Sequence, residues 1–437
     1  MEWWLALLII LGSLFVLFAL GIPVAFAFLA VDILGAIIFF GGTAGLLQLI
    51  DSIRGSVATF TLLPLVLFLL MGSILFYSGI AFNTIDAVDK WLGHVPGRLG
   101  LIAIAAGVLL ATLTGSNMAS TAILGGALTP EMERRGYKKV MSLGPIMAAG
   151  GLAMMIPPSG LAVLVAALGE ASIGGVLMGI IIPGLMMAFV YVFYTIIRCW
   201  LQPSLAPPYK TEPTTLSTKI MLTAKYVLPI GVVIFLVTGV IFLGVATPSE
   251  AAATGALGSF LLAACYGNLN WQSLKKIMIE TASLSFMILL IITGAITFGQ
   301  ILAFSGASIG LAKLLSSLPV PPIMVVVAML LALLILGTAA EEVSLVVVTI
   351  PLFMPIVRAL GLDPVWFCVL MLLNIEMGMI SPPYGSILFV MQGVAPSGTT
   401  AGDIYRAALP YFFLDCVVMA VMLAFPITVL WLPSMMR

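Results

Sequence analysis

The chain has 437 residues, of which 62% are hydrophobic and 8% are charged, and its 17 basic and 17 acidic side chains cancel. Soluble globular proteins carry about 25% charged residues, so this composition excludes a soluble protein and predicts an all-α polytopic membrane protein in a lipid bilayer. No basic run of the kind that binds nucleic acid occurs, which excludes nucleic acid as a partner. The single histidine leaves a two-histidine zinc site without ligands, and no organic cofactor is expected.

The first apolar run covers residues 5–30 and has no basic leader. It is too long for a cleaved signal peptide and is interpreted as retained in the membrane. The interruption at Gly21-Ile22-Pro23 predicts two segments that meet near the membrane surface, and Asp32 is expected to mark the end of the first helix. Since a helix needs about 20 apolar residues to cross a bilayer, the whole chain is expected to contain roughly eleven to thirteen crossing or re-entrant segments.

Two polar patches interrupt the apolar sequence of the first half. Residues 114–121 read Thr-Gly-Ser-Asn-Met-Ala-Ser-Thr, and residues 154–160 include Pro157-Pro158-Ser159-Gly160. Proline removes a backbone donor, and lipid cannot satisfy the carbonyls and amides that an interrupted helix leaves free. Similar patches return at residues 337–342 and 379–385. Each patch therefore predicts a broken helix whose irregular backbone lines a site.

A segment rich in Pro, Thr and Ser lies near the midpoint of the chain, at residues 202–219. Its position predicts two halves, residues 1–200 and 220–437, joined by a linker at 201–219. Just inside the second half, Thr247-Pro248-Ser249-Glu250 has the pattern of a helix start with a capping box.

The two halves carry an internal repeat. Pro157-Pro158 and Pro382-Pro383 are 225 residues apart, and the same spacing pairs Gly160 with Gly385 and Pro23 with Pro248. Further pairs at this spacing are Pro130 with Pro355 and Gly136 with Gly361, and residues 72–79 resemble residues 299–306. Ordered matches at nearly one spacing predict that the halves share a structure.

Charge indicates that the repeat is inverted. Four basic residues follow Pro130, whereas Arg358 is the only one after Pro355. Because basic loops favour the cytoplasmic side, the first turn is expected to be cytoplasmic and its counterpart external, with the linker also cytoplasmic.

An inverted repeat with broken helices is typical of secondary transporters, in which helix N-termini face an anion and unwound carbonyls hold a cation. The residues that follow the breaks supply hydroxyl and amide groups for this purpose. The residues predicted to bind substrate are Ser116, Asn117, Ser120, Ser159, Ser381 and Tyr384.

Several motifs resemble the large membrane subunit of tripartite ATP-independent periplasmic (TRAP) transporters. They are Gly115-Ser116 with Ala119, Pro130-Glu131-Met132, Ile156-Pro157-Pro158-Ser159, Ile182-Pro183-Gly184, Thr247-Pro248-Ser249-Glu250-Ala251, and Asn374-Ile375-Glu376-Met377-Gly378 ahead of Pro382-Pro383. The ordered set spans nearly the whole chain.

The resemblance implies a sodium-driven importer of carboxylate-bearing solutes in the bacterial inner membrane. It implies an elevator-type transporter in which a domain with re-entrant hairpins and broken helices moves against a scaffold. The implied partners are a soluble periplasmic substrate-binding protein and a separate small four-helix membrane subunit, and the coupling ions are sodium.

The resemblance also assigns sodium ligands by position. One site would use Gly115, Ser116 and Asn117 with Pro157 and Gly160, and the other would use Gly337, Thr338 and Glu341 with Ser381 and Gly385. The sequence departs from the family pattern where Asn117 and Met118 enter a run of small residues and where Glu341-Glu342 replaces a common aspartate.

Other interpretations remain open at this stage. Glu341 is either an ion ligand or proton acceptor inside the membrane, or the end of a helix whose acid reaches water. A stand-alone sodium–dicarboxylate symporter would need no binding protein. An intramembrane hydrolase would need a base beside Ser116 or Ser159, and an assembly subunit would not need two matched sets of broken helices.

Overall fold

The structure is a computed structural model, and it describes residues 1–91, 95–114, 116–207, 215–267, 269–338 and 340–436. The side chains at 81, 82 and 111–114 lie outside this description. Across these ranges the chain is all-helical, as predicted, and contains no β-strand.

The first half contains eleven α-helices within the described ranges. They are α1 (Trp3–Ala19), α2 (Val24–Phe39), α3 (Thr43–Val57), α4 (Leu63–Tyr77), α5 (Ile80–Asp89), α6 (Arg98–Thr114), α7 (Asn117–Arg134), α8 (Lys139–Gly151), α9 (Gly160–Leu168), α10 (Ile173–Gly179) and α11 (Ile181–Leu201).

The second half opens with three α-helical pieces joined by π-turns into one rod, Leu216–Phe242. The pieces are α12 (Leu216–Leu222), α13 (Leu228–Ile234) and α14 (Val240–Phe242). The later helices are α15 (Pro248–Cys265), α16 (Trp271–Phe304), α17 (Ala307–Ser316), α18 (Pro322–Gly337), α19 (Glu342–Ala359), α20 (Pro364–Ile380), α21 (Ser386–Val394), α22 (Ala401–Ala424) and α23 (Ile427–Ser434). The rod begins inside the predicted linker because Thr215 caps its first turn.

Length and composition identify membrane spans among these helices. In the described part of the chain, six helical segments are long and apolar enough to cross a membrane: Phe60–Tyr77, Ile173–Leu201, Leu216–Phe242, Trp271–Phe304, Glu342–Ala359 and Ala401–Ala424. Shorter apolar helices, including α1, α2, α18 and α20, accompany them. The chain is therefore a membrane protein with several transmembrane helices.

The first apolar run forms two helices that meet at Pro23, as predicted. The assignment of Asp32 to the end of the first helix is wrong, because Asp32 lies within α2 and is 1% exposed. Its Oδ2 atom approaches α16, where a Cβ added to Gly294 would lie 3.7 Å from it. An acid can occupy a helix interior in the membrane when it faces another helix rather than lipid.

Several positions that the sequence spacing pairs have the same local structure. Gly79 and Gly306 each follow a helix with φ near +70° and begin the next helix, and Gly136 and Gly361 adopt the same left-handed conformation after α7 and α19. Pro130 and Pro355 lie inside those two helices. The predicted capping box between Thr247 and Glu250 is also present.

The basic turn between α7 and α8 lies beside the linker. The Lys138 N–H donates to the Leu205 carbonyl at 2.9 Å. Within the turn, Glu131 pairs with Arg135 at 2.5 Å and with Arg134 at 2.6 Å, and these hydrogen bonds lower the pKa of Glu131. The turn and the linker are therefore on the same side of the molecule.

The core is built on α8 and α20. Every residue from Met141 to Gly151 in α8 and from Trp366 to Ile380 in α20 is buried. A helix that is apolar all round packs against protein on every side. The first predicted break, at Pro157-Pro158 after α8, is buried, whereas Pro383 and Tyr384 of the second break, after α20, are exposed.

Candidate ion and substrate site

Both double prolines interrupt a buried helix, as the sequence predicts. After α8, a 3₁₀ turn at Leu152–Met154 leads to Pro157-Pro158, and α9 begins at Gly160. After α20, residues 381–385 form the second break, and α21 begins at Ser386. Proline cannot donate to the preceding turn, so each break leaves carbonyls of the incoming helix without helical partners.

Serine hydroxyls cap the two helices that start at the polar patches of the first half. The Ala119 N–H donates to Ser116 Oγ at 3.4 Å at the start of α7, and the Ala162 N–H donates to Ser159 Oγ at 3.3 Å at the start of α9. Both hydroxyls therefore lie at helix N-termini, where the partial positive charge favours an anion.

The first polar patch contacts the second break. Asn117 is 2% exposed, and its Nδ2 donates to Met379 Sδ at 3.5 Å. A Cβ added to Gly385 would lie 2.3 Å from the Met379 carbonyl oxygen, so the backbone after the break folds back on the end of α20. Ser120, one turn along α7, is fully buried. Tertiary packing thus brings together residues that are more than 260 positions apart in sequence.

The polar patch after α18 also lies on α20. A Cβ added to Gly378 would lie 3.0–3.1 Å from the Cα, carbonyl carbon and oxygen of Gly337. Only glycine at 378 permits this approach, which holds the C-terminal end of α18 against the turn that precedes the second break. The Thr338 hydroxyl donates back to the Ile335 carbonyl at 2.8 Å.

Glu341 is the N-cap of α19 and is exposed. Its Oε2 accepts from the Ser344 N–H at 3.0 Å and from Ser344 Oγ at 2.9 Å. The residue lines a cleft of about 320 Å³ with Phe18, Pro23 and Leu336. Unlike Glu341, the adjacent Glu342 has a buried Oε2 atom, and this atom has no hydrogen-bond partner in the described structure.

Some predicted residues lie at the edge of this region. Tyr384 is 62% exposed, and the nearest polar contact of Ser381 Oγ is the Pro382 carbonyl at 3.5 Å. Pro157 is buried and Gly160 is half-buried. Gly115 lies outside the described residues.

Sequence reasoning left three buried polar groups out of the site. Glu376, Asp415 and Tyr191 are each 0% exposed, and the Tyr191 hydroxyl donates to Asp415 Oδ1. Asp415 interrupts the apolar run of α22, and a lone carboxyl within a membrane helix was the signal that could have identified it.

The helix ends in this region differ in partial charge. The capped N-termini of α7 and α9 carry a partial positive charge, whereas the C-terminal ends of α18 and α20 carry a partial negative charge. Among the described side chains, no three of His, Cys, Asp or Glu group as the ligands of a metal ion do.

Comparisons with known proteins agree on one family. A family model described as tripartite ATP-independent periplasmic transporter, DctM component, matches residues 11–428. The C4-dicarboxylate TRAP transporter large permease protein DctM of Pseudomonas aeruginosa is 31% identical over 378 residues, 86% of each chain. The sialic acid TRAP transporter large permease protein SiaM of Vibrio cholerae is 28% identical over 429 residues, 98% of each chain.

A likeness to a solved structure shows the fold. The Alcanivorax borkumensis YdaH transporter superposes with a TM-score of 0.64 at 17% identity, covering 88% of this chain and 89% of that one. The helical arrangement is therefore shared with a membrane transporter of low sequence similarity.

Unfolding measurements test the role of Ser159 as the N-cap of α9. We expect Ser159→Ala to lower the free energy of unfolding by about 1 kcal/mol and Ser159→Gly by only a few tenths, because glycine is tolerated at the N-cap. Thermal unfolding of the purified variants in detergent measures the difference. Equal midpoints for both variants and the native protein would contradict the capping role.

Proposed function

The chain belongs to the DctM component family of tripartite ATP-independent periplasmic transporters, and we propose that it imports a carboxylate-bearing solute driven by sodium. The observation that carries this proposal is the contact between the first polar patch and the second helix break, through Asn117 and Met379. Two interrupted helices that meet inside a membrane protein form a polar site at a depth where lipid offers no partners.

The proposed sodium ligands lie on both sides of this contact. The first group comprises Ser116, Asn117, Pro157 and Gly160, together with Gly115, which lies outside the described residues. The second group comprises Gly337, Thr338, Glu341, Ser381 and Gly385. The close approach of Gly378 to Gly337 supports the second group, because it places carbonyl oxygens of α18 beside the second break.

A carboxylate substrate suits the capped helix ends. Ser116 and Ser159 lie at N-termini whose partial positive charge attracts anions, and Asn117 and Ser120 add amide and hydroxyl groups. The names of the relatives support this class, since C4-dicarboxylates and sialic acid both carry carboxylates.

For the mechanism we propose an inverted repeat that works as an elevator. The equal local structure of paired positions, such as Gly79 with Gly306 and Gly136 with Gly361, supports a repeat. The buried pair α8 and α20 would belong to the moving domain, and long helices with exposed apolar surfaces, such as the rod Leu216–Phe242, would belong to the scaffold.

The proposed partners follow from the family. A tripartite transporter has three components, and a large permease implies a smaller one. We propose a periplasmic binding protein that delivers the solute and a small four-helix membrane subunit, all acting at the bacterial inner membrane. A stand-alone symporter is the competing arrangement, whereas the relatives, named as transporter permeases, leave no role for an intramembrane hydrolase.

Uptake by proteoliposomes tests the coupling. We expect uptake of the solute to require an inward sodium gradient together with the cognate binding protein and small subunit, because the ion gradient supplies the driving force. Radiolabelled solute measures the rate. Equal uptake in potassium-only buffer would show that sodium is not the coupling ion. Full uptake without the binding protein would favour the stand-alone symporter.

Two substitutions test the proposed ligands. Ser116→Ala and Glu341→Ala are each expected to reduce uptake about tenfold, since a hydrogen bond or ligand to a charged group contributes about 1.5–3 kcal/mol. Each also removes a helix cap, so capping residues elsewhere provide matched controls: Ser172→Ala at the start of α10 and Glu250→Ala at the start of α15. Normal uptake by both ligand variants, or an equal loss of uptake in the control variants, would show that Ser116 and Glu341 are not ligands.

Cysteine labelling tests the inversion. In a Cys265→Ser background, which removes the exposed native thiol, Arg134→Cys and Ala359→Cys place thiols at exposed ends of α7 and α19. We expect an impermeant reagent to label Arg134→Cys from the cytoplasm and Ala359→Cys from outside. Ser204→Cys should follow Arg134→Cys, because the linker contacts that turn. Labelling of both helix ends from one side would contradict an inverted repeat.

A further inference from the structure

Two carboxyl groups are buried in the core on neighbouring helices, and neither belongs to the proposed sodium ligands. Glu376 is on α20 and Asp415 is on α22, two helices that pack against each other, and both side chains are 0% exposed. Tyr191 on α11 completes the group and donates its hydroxyl to Asp415 Oδ1. The acidic groups near enough to repel a charge on Glu376 are Asp415 and Glu342.

Most oxygens of the pair have no partner in the described structure. Neither Glu376 Oε1 nor Oε2 accepts a hydrogen bond there, and Asp415 Oδ2 accepts none. The Glu376 carboxyl fills the space beside the first break, because a Cβ added to Gly151 at the end of α8 would lie 1.5 Å from Oε1. Glu376 on α20 thus lies against the end of α8 with neither oxygen hydrogen-bonded in the described structure, and Asp415 on α22 keeps one oxygen without a partner there.

The surrounding helices bring almost no compensating charge. The helices α9, α10, α18, α21 and α23 pack against α20 and contain no acidic, basic or tyrosine residue. The titratable groups that interact with the pair are Glu342, Tyr191 and Cys416, and none of them is basic.

The basic residues of the neighbouring helices lie at the helix ends. Lys139 pairs with Glu133 at 2.6 Å, Arg358 pairs with Glu170 at 2.8 Å, and Arg406 is exposed in the first turn of α22. Arg198 is exposed near the end of α11. No positive side chain in the described structure therefore reaches the carboxyl pair.

Two carboxylates that are close together in an apolar interior cannot both remain ionised without a cation. We propose that Glu376 and Asp415 bind one proton between them and that the transporter works only while this proton is bound. The Tyr191 hydroxyl stabilises the charge on Asp415, and the proton neutralises Glu376. Loss of the proton leaves two like charges in the core and drives the Glu376 carboxyl from its place against Gly151, which separates α20 from the first break.

The sign of the pH effect follows directly. The proton is bound at low pH and is released as pH rises, so uptake at a fixed sodium gradient is expected to decline on the alkaline side. Glu376→Gln and Asp415→Asn each replace a proton-binding group with a permanently neutral amide of similar shape. Glu376→Gln is expected to transport and to lose the alkaline decline. Asp415→Asn keeps Glu376 but removes the like charge beside it, so its decline is expected at higher pH than in the native protein.

Asp32→Asn is the matched control, because Asp32 is also a buried carboxyl with an unpartnered oxygen in the described structure but lies at the contact of α2 with α16. This variant should keep the native pH profile. A flat profile for the native protein would overturn the proposal, as would an unchanged decline in Glu376→Gln and Asp415→Asn.

Infrared spectroscopy of the purified full-length chain tests the bound proton without transport. A protonated carboxyl has its own carbonyl stretching band. We expect part of this band at neutral pH to disappear in Glu376→Gln and to shift in frequency in Asp415→Asn, which keeps the Glu376 carboxyl but removes its neighbour. A band unchanged in both variants would overturn the proposal, and an unchanged band in Asp415→Asn would overturn it if Glu376→Gln does not fold. Since this measurement needs neither sodium nor solute, its failure is distinct from a failure of sodium coupling.

Discussion

The structure depends on the need to satisfy backbone polar groups where water is absent. An unpaired carbonyl or amide exposed to hydrocarbon costs several kcal/mol, so a helix can be interrupted inside a membrane protein only where other protein surrounds it. Pro157 and Pro382 interrupt the chain after α8 and α20, and every residue of these two helices except the first two of each is buried. The burial of α8 and α20 is therefore the condition under which polar sites can exist at the breaks.

Small residues let the interrupted helices approach one another. Gly378 lies against the backbone of Gly337, and Gly151 leaves room for the carboxyl of Glu376. In lipid the hydrophobic effect gives little drive for helix association, and close packing across glycine provides much of it. The same glycines place polar atoms from distant parts of the sequence in contact, so packing and site formation have one cause.

The two halves use different chemistry at equivalent helix starts. Hydroxyls of Ser116 and Ser159 cap α7 and α9, whereas the carboxylate of Glu341 caps α19 and Gly385 precedes α21 without a side-chain cap. The first half thus presents neutral donors and acceptors, and the second half presents a negative charge and bare backbone. This asymmetry fits a site that holds an anion and a cation together.

The sequence alone was sufficient for an all-helical membrane protein, the positions of both breaks, the capping box at Thr247 and the family, because composition, proline and capping signals act locally. It misplaced Asp32 at a helix end and left Asp415 and Tyr191 unnoticed, since an acid in an apolar run does not reveal which helix it faces. Only the tertiary structure decided that Asn117 contacts Met379 and that Glu376 lies beside Gly151 and Asp415. Those contacts join helices far apart in the chain, and they arise from the packing of whole helices, which no local pattern encodes.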